Sequence, residues 1–312
     1  MPAVTTLWIV FGVMLTVMLA VDLWLNRSGR KIGFRQALLW SLVWFSLALC
    51  FDLVIWWQLG SQKALEFLTG YLIEQSLSVD NLFVFIMIFS VFGVRDELQA
   101  RVLKWGILGA VLMRLVFIFA GTALVREFQW LFYLFGAILL YTAWKMAFGD
   151  DSEMEPDNNP LVRLARRFIP MTRQIRGDWF VTRKMGLWLA SPLLMVLLVV
   201  ESSDLVFAMD SIPAIFAITL DPFIVLTSNI FAIMGLRTLY FLLSNVVGMF
   251  SLLKYGIALI LAFVGVKMIL IMSGVHIPIA LSLAVIVVVL SGSIVLSLFV
   301  SRPDSVEVPE TT

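Results

Sequence analysis

Long apolar runs separated by short polar interruptions dominate the chain. The runs cover residues 7–25, 37–59, 65–92, 102–125, 128–148, 186–218, 222–246, 251–273 and 277–300. About 20 consecutive apolar residues cross the roughly 30 Å hydrocarbon core as a helix. Helices suit that core because they satisfy their own backbone where water is absent. The pattern therefore predicts an all-α polytopic membrane protein with about nine transmembrane helices in one domain, residues 1–300. The third and sixth runs exceed a single crossing, which predicts tilting or breaking. Met1 to Thr6 holds no basic residue ahead of the first run, and no small-residue cleavage site is evident, so the first helix reads as retained.

Charge sets the expected orientation. Arg27, Arg30, Lys31 and Arg35 follow the first run, and Arg95, Arg101 and Lys104 follow the third. Arg163, Arg166, Arg167, Arg173, Arg176, Arg183 and Lys184 follow the fifth, while the alternate loops carry chiefly Lys63 and Arg126. The positive-inside rule then puts the N-terminus outside and the C-terminus in the cytoplasm, as an odd number of crossings requires. The cytoplasmic loop 149–185 opens acidic and rich in Pro and Asn, like a flexible linker. Pro160 to Phe168 reads as a short basic amphipathic helix on the anionic leaflet, or as a solvated linker whose charges set topology. The tail 301–312 is expected to be disordered.

Composition narrows the chemistry. The 312 residues are 61% hydrophobic and 14% charged, against about 25% charged in a soluble domain. A net charge of +1 gives no footprint for nucleic acid. One cysteine, Cys50, excludes an internal disulfide or thiolate cluster, and one histidine, His276, excludes zinc bound by several imidazoles. His276 is expected on the surface of a short external loop.

The sixth run nevertheless carries Glu201, Asp204 and Asp210. A carboxylate at bilayer depth costs at least about 2.5–3.5 kcal/mol, so an intramembrane acid points to function. Glu201 and Asp204 share one helical face. Pro213 lacks the N–H that would bond the Met209 carbonyl, and Ile212 before it is biased away from helix. A break beside Asp210 is the expectation, with free carbonyl oxygens next to carboxylates.

The chain also carries an internal repeat. Phe128 to Tyr133 aligns without a gap on Phe250 to Tyr255, Lys145-Met146 on Lys267-Met268, and Arg114 on Arg237 one position out of step. Glu74 and Asp80 are spaced like Asp204 and Asp210. Two three-helix units, about 65–148 and 186–273, are thus expected to run in opposite directions across the bilayer, the inverted-repeat plan of many secondary transporters. Six residues on a straight helix rotate by about 600° and rise about 9 Å, so Glu74 and Asp80 do not easily grip one ion. The favoured arrangement has Asp80 and Asp210 as a symmetric pair, with Glu74 and Asp204 just beyond them.

Glu74, Asp80, Glu201, Asp204 and Asp210, with the amide of Asn81 and nearby hydroxyls, form an all-oxygen set suited to Mg²⁺, Ca²⁺ or Mn²⁺. Met87 and Met209 are read first as core filler and second as soft ligands. Arg114 and Arg237 are expected to balance the acids and to yield when a cation or proton arrives, against the plainer reading of structural ion pairs. Lys145 and Lys267 are the weaker candidates for the same charge balance, since they lie near helix ends and can simply snorkel. Asp22 and Asp52 are expected to reach the interface.

These residues carry a family resemblance. Glu74, Ser76, Ser78, Val79, Asp80 and Asn81 in one half, and Glu201, Ser203, Asp204, Leu205, Asp210, Ser211, Ile212 and Pro213 in the other, resemble the paired signatures of the TerC family. Asp221 to Asn229 and Phe231 to Arg237 extend the likeness over most of residues 7–300, with no departure inside the acidic motifs. The resemblance implies a bacterial inner-membrane protein that exports manganese, with Mn²⁺ as transported ion, no organic cofactor, and the five acids as ligands. Tellurite resistance is a named phenotype of that family, not a demonstrated transport of tellurium.

The leading expectation is a Mn²⁺ exporter, not an enzyme, working by alternating access and exchanging protons, since clustered carboxylates favour shared protons. The alternatives are a Ca²⁺ or broad cation/H⁺ exchanger, and a metal-binding interaction protein acting through 149–185. An intramembrane hydrolase would suit paired acids at helix breaks, but no matching active-site motif is present.

Overall fold

The computed structural model describes residues 2–25, 33–149, 179–184, 187–244, 252–275 and 277–300. The apolar runs form helices α1 (Pro2–Leu25), α2 (Phe34–Leu59), α3 (Ser61–Val91), α4 (Asp96–Glu127), α5 (Leu131–Phe148), α6 (Pro192–Phe216), α7 (Pro222–Leu243), α8 (Leu253–Met272) and α9 (Ile279–Val300). Among the described residues these nine are long and apolar enough to cross a membrane. His276, the tail 301–312 and most of the loop 149–185, with its expected amphipathic helix, lie outside the described residues.

Two expectations about the sixth run need correction. It does not begin near residue 186: strands β1 (Val181–Lys184) and β2 (Leu187–Ala190) form an antiparallel hairpin, Val181 opposite Ala190. The helix starts only at Pro192, where a missing N–H costs nothing. Nor does it break beside Asp210. It runs through Pro213 to Phe216, and Ala217 N–H closes the last turn on the Pro213 carbonyl at 3.2 Å. Pro213 stands so near the end that the chain turns at 217–221 instead, where Asp221 caps α7 by accepting from Phe223 N–H at 3.1 Å.

Helices α3 and α4 have 31 and 32 residues, about 45 Å or more at 1.5 Å per residue. Both are continuous, so the excess over one crossing appears as length rather than a break. Gly60, at φ 89°, lets α2 reverse into α3 through a single residue.

The buried centre is α7, with 19 of its 22 residues enclosed. It packs on α2, α3 and α4, while α6 packs on α3 and α4, and α5 pairs with α8. Phe51, Phe67 and Phe231 knit α2, α3 and α7 together at ring separations of 4.9 to 5.9 Å. Inside a bilayer such contacts gain by van der Waals fit, because lipid tails are as apolar as the side chains. Small residues allow the closest approach at the α5–α8 seam, where a Cβ on Gly136 would stand 3.0 Å from the Gly265 carbonyl oxygen and 2.7 Å from Ile269 Cγ1.

Gly136→Val should therefore overpack that seam at a cost of about 1–3 kcal/mol. A lowered midpoint in a thermal scan of the detergent-purified chain is the expected outcome; an unchanged midpoint would show that the two helices separate freely.

Candidate functional site

Arg114, midway along α4, is fully enclosed. A guanidinium offers five donors in a fixed plane, so its partners must come from several directions. It forms an ion pair with Glu74 of α3 and stands 3.8 Å from Asp204 Oδ1 of α6. It also donates to Asn229 Oδ1 of α7, and to Ser211 Oγ of α6 at 3.4 Å. Ser78, one turn beyond Glu74, donates to the same carboxylate at 3.3 Å. One cation thus holds the inner faces of α3, α4, α6 and α7. Several groups keep bonding capacity: Glu74 Oε2, Asp204 Oδ2 and Asn81 Nδ2 are buried without hydrogen-bond partners among the described residues.

A second feature adjoins the first. Glu201, one turn before Asp204, lies against the backbone of α4 at Gly109, where an added Cβ would come within 2.1 Å of Glu201 Oε1. A side chain at 109 would displace the carboxylate from that position. Glu201, Asp204 and Arg237 share a cavity of about 10 Å³ whose other walls include Phe85, Leu103, Ile107 and Leu236, room for about one water-sized particle. The cavity lies toward the ends of α3, α4, α6 and α7 that face the basic loops.

At the opposite ends the helices are tied together. Lys63 Nζ lies 2.8 Å from Glu66 Oε2 and 3.0 Å from Asp221 Oδ2. Thr219 donates to Glu66 at 2.6 Å, and Arg126 donates to the Leu220 carbonyl at 3.3 Å. This network joins α3 and the end of α4 to the α6–α7 turn.

The sequence-derived set divides accordingly. Glu74 and Asp204 meet around Arg114, Glu201 lines the adjoining cavity, and Asn81 is buried one helical stretch further along α3. Asp80 lies on α3, but its side chain is outside the described ones. Asp210 does not join the cluster: half-buried, it accepts from Thr142 Oγ1 of α5 at 3.0 Å. Six residues of unbroken helix turn it away from Asp204. Among the described residues no three acids converge at metal-binding spacing.

Two expectations about the other charged residues need correction. Asp22, expected at the interface, is buried and ion-paired with Arg237, whose guanidinium also reaches the Asp22 carbonyl oxygen at 3.4 Å. Lys267, read as near enough to a helix end to snorkel, is buried and donates to Ser282 of α9 at 2.9 Å. Lys145 is exposed near the end of α5. Met87 and Met209 are exposed, not core. Asp22 and Asn229 were missed as partners because one sits near the end of an apolar run and the other looks like any amide. The spacing of Arg237 beyond the acids is the only signal, and it does not name a partner six helices away in sequence.

Residues 59–305 match the profile described as "Integral membrane protein TerC family". A Salmonella typhi protein named "Putative membrane-bound redox modulator Alx" is 51% identical over 273 residues, covering 84% of this chain and 85% of the relative. The Myxococcus xanthus "Uncharacterized membrane protein STKORF319" is 51% identical over 263 residues, covering 84% and 82%. An uncharacterized membrane protein of Rickettsia bellii is 40% identical over 263 residues, covering 84% and 87%. No solved structure matches the chain.

Removing one partner of a buried ion pair strands the other charge, at about 3–5 kcal/mol. Glu74→Gln and Arg114→Gln should each lower thermal stability in detergent by that order, and the double variant should lose less than the sum. Strictly additive losses would show that the two groups do not depend on each other.

Proposed function

The chain belongs to the TerC family of integral membrane proteins, and on that footing we propose that it exports divalent metal cations, manganese foremost, across the bacterial inner membrane. The observation that carries this reading is the Arg114 guanidinium held between Glu74 and Asp204 in the helix bundle. Buried ion pairs are a weak means of gaining stability, so charges kept at this depth call for another use. Arg114 occupies the place of a counter-cation. When a divalent ion enters, the carboxylates of Glu74, Asp204 and Glu201 take it with Asp80, Asp210 and Asn81 completing the path, and Arg114 falls back on Asn229 and Ser211. Oxygen donors of this kind suit Mn²⁺ as cargo.

The two ends of the bundle support alternating access. The cavity holding Glu201 and Asp204 lies toward the ends with the basic loops, which the positive-inside rule makes cytoplasmic. The other ends are closed by the Lys63, Glu66, Thr219 and Asp221 network. Export requires that network to open once the cytoplasmic side has closed. The inverted repeat expected from the sequence would supply a means of rocking, and its aligned positions 136 and 258, and 143 and 265, are all Gly or Ala and all buried. They lie on α5 and α8, where one unit meets the other. Protons returning to the carboxylates reset the site.

The redox wording in the relatives' name has less support in these residues. Exchange between a dithiol and a disulfide within one chain needs two cysteines, whereas the sole one, Cys50, is exposed on α2. Transport, with no bond made or broken, accounts for the buried acids directly.

The test is ⁵⁴Mn²⁺ uptake into everted vesicles, comparing the unaltered chain with Asp80→Asn and Asp210→Asn, with and without a pH gradient. Uptake that both substitutions abolish, and that needs the gradient, is expected. Correctly folded and oriented protein that moves no manganese would end the proposal; uptake of Ca²⁺ in its place would reassign the cargo.

A further inference from the structure

Arg114 and Arg237 occupy matching places in the repeat, yet they are neutralised differently. Arg114 takes its partners from α3, α6 and α7, within the two units. Arg237 takes Asp22 from α1, which lies ahead of residues 59–305. Arg237 also lines the cavity with Glu201 and Asp204, and its Nε and Nη1 have no hydrogen-bond partner among the described residues. A long cation thus shares one cavity with two carboxylates, one of which keeps an unpaired buried oxygen, Asp204 Oδ2.

We infer that Asp22 is a positioning residue: by holding the Arg237 guanidinium to α1, it keeps the cavity of Glu201 and Asp204 open to a divalent cation. The proposal rests on the transport reading and says how the site is kept free. The geometry limits the alternatives. Asp22 engages Arg237 through both its carboxylate and its backbone carbonyl, which fixes the guanidinium in direction as well as charge. The cavity, at about 10 Å³, has no space for both a guanidinium and a metal ion. Without the Asp22 charge, Arg237 is left with Asp204 and Glu201 as the anions that share its cavity. It would become a tethered competitor for the cargo, as Arg114 already is on the other side of Asp204. Asp22 has no part in binding the cation itself.

The experiment measures Mn²⁺ binding to the full-length chain in detergent, from loss of the free-ion paramagnetic resonance signal. Asp22→Asn should weaken binding by about tenfold or more, since it frees a unit charge beside the site. Asp22→Glu, which keeps the anion, should bind nearly as the unaltered chain does. Asp22→Asn combined with Arg237→Gln should recover most of the lost affinity, which a purely structural role for Asp22 would not permit. Unchanged binding in Asp22→Asn, or a double variant as weak as the single one, would overturn the proposal. A crystal structure of the Asp22→Asn chain gives the second readout, with the Arg237 guanidinium expected within salt-bridge distance of Asp204 or Glu201. If the unaltered chain binds no Mn²⁺, the transport reading fails, and that structure alone decides the role of Asp22: a guanidinium that stays away from both acids rejects it.

Discussion

The structure depends on one enclosed guanidinium. Arg114 has no water to solvate it, so each bond it makes must come from another helix, and four helices supply them. Withdrawing any one of these helices leaves a charge exposed to hydrocarbon, at a cost exceeding most packing differences. The packing around it is accordingly close. The aromatic set of Phe51, Phe67 and Phe231 aligns α2, α3 and α7, and the almost wholly buried α7 delivers Asn229 to the cation. Apolar contacts hold the bundle, and the ionic centre sets which faces turn inward.

The same centre explains why the acids sit at two depths of commitment. Glu74 and Asp204 are engaged by Arg114, whereas Glu201 rests on a glycine beside a small cavity, and Asp210 is held by one threonine on α5. The acids are thus separate stations along the bundle, and among the described residues no three of them close into one cage. Arginine suits the central station because it stays charged, and its planar fork can move from carboxylate to amide oxygen without being left bare.

The two halves are alike in sequence and unlike in their electrostatic partners. Arg114 is balanced from within the repeat, Arg237 from α1. The ends differ as well. One carries the cavity, and the other is drawn together by Lys63 between Glu66 and Asp221. An exact twofold arrangement would give both ends the same contacts, and these two ends do not share them.

Much of this was legible in the chain. Nine apolar runs became nine helices because a bilayer leaves the backbone few choices, and the expense of intramembrane charge marked Glu74, Arg114, Glu201 and Asp204 before any contact was known. Local chemistry was a poorer guide. The apolar residues 187–190 became a strand, and Pro213 bent nothing at Asp210 because it fell within the last turn. Pairing was the least legible. Asp22 and Lys267 lie near the ends of apolar runs, where sequence alone places them at the interface, yet neighbouring helices cover both. Helical periodicity reports which residues share a face of one helix, so sequence by itself determined the spans and the charged residues that needed partners. Which partner each one found depends on how helices distant in the chain rotate against one another, and only the tertiary structure decided that.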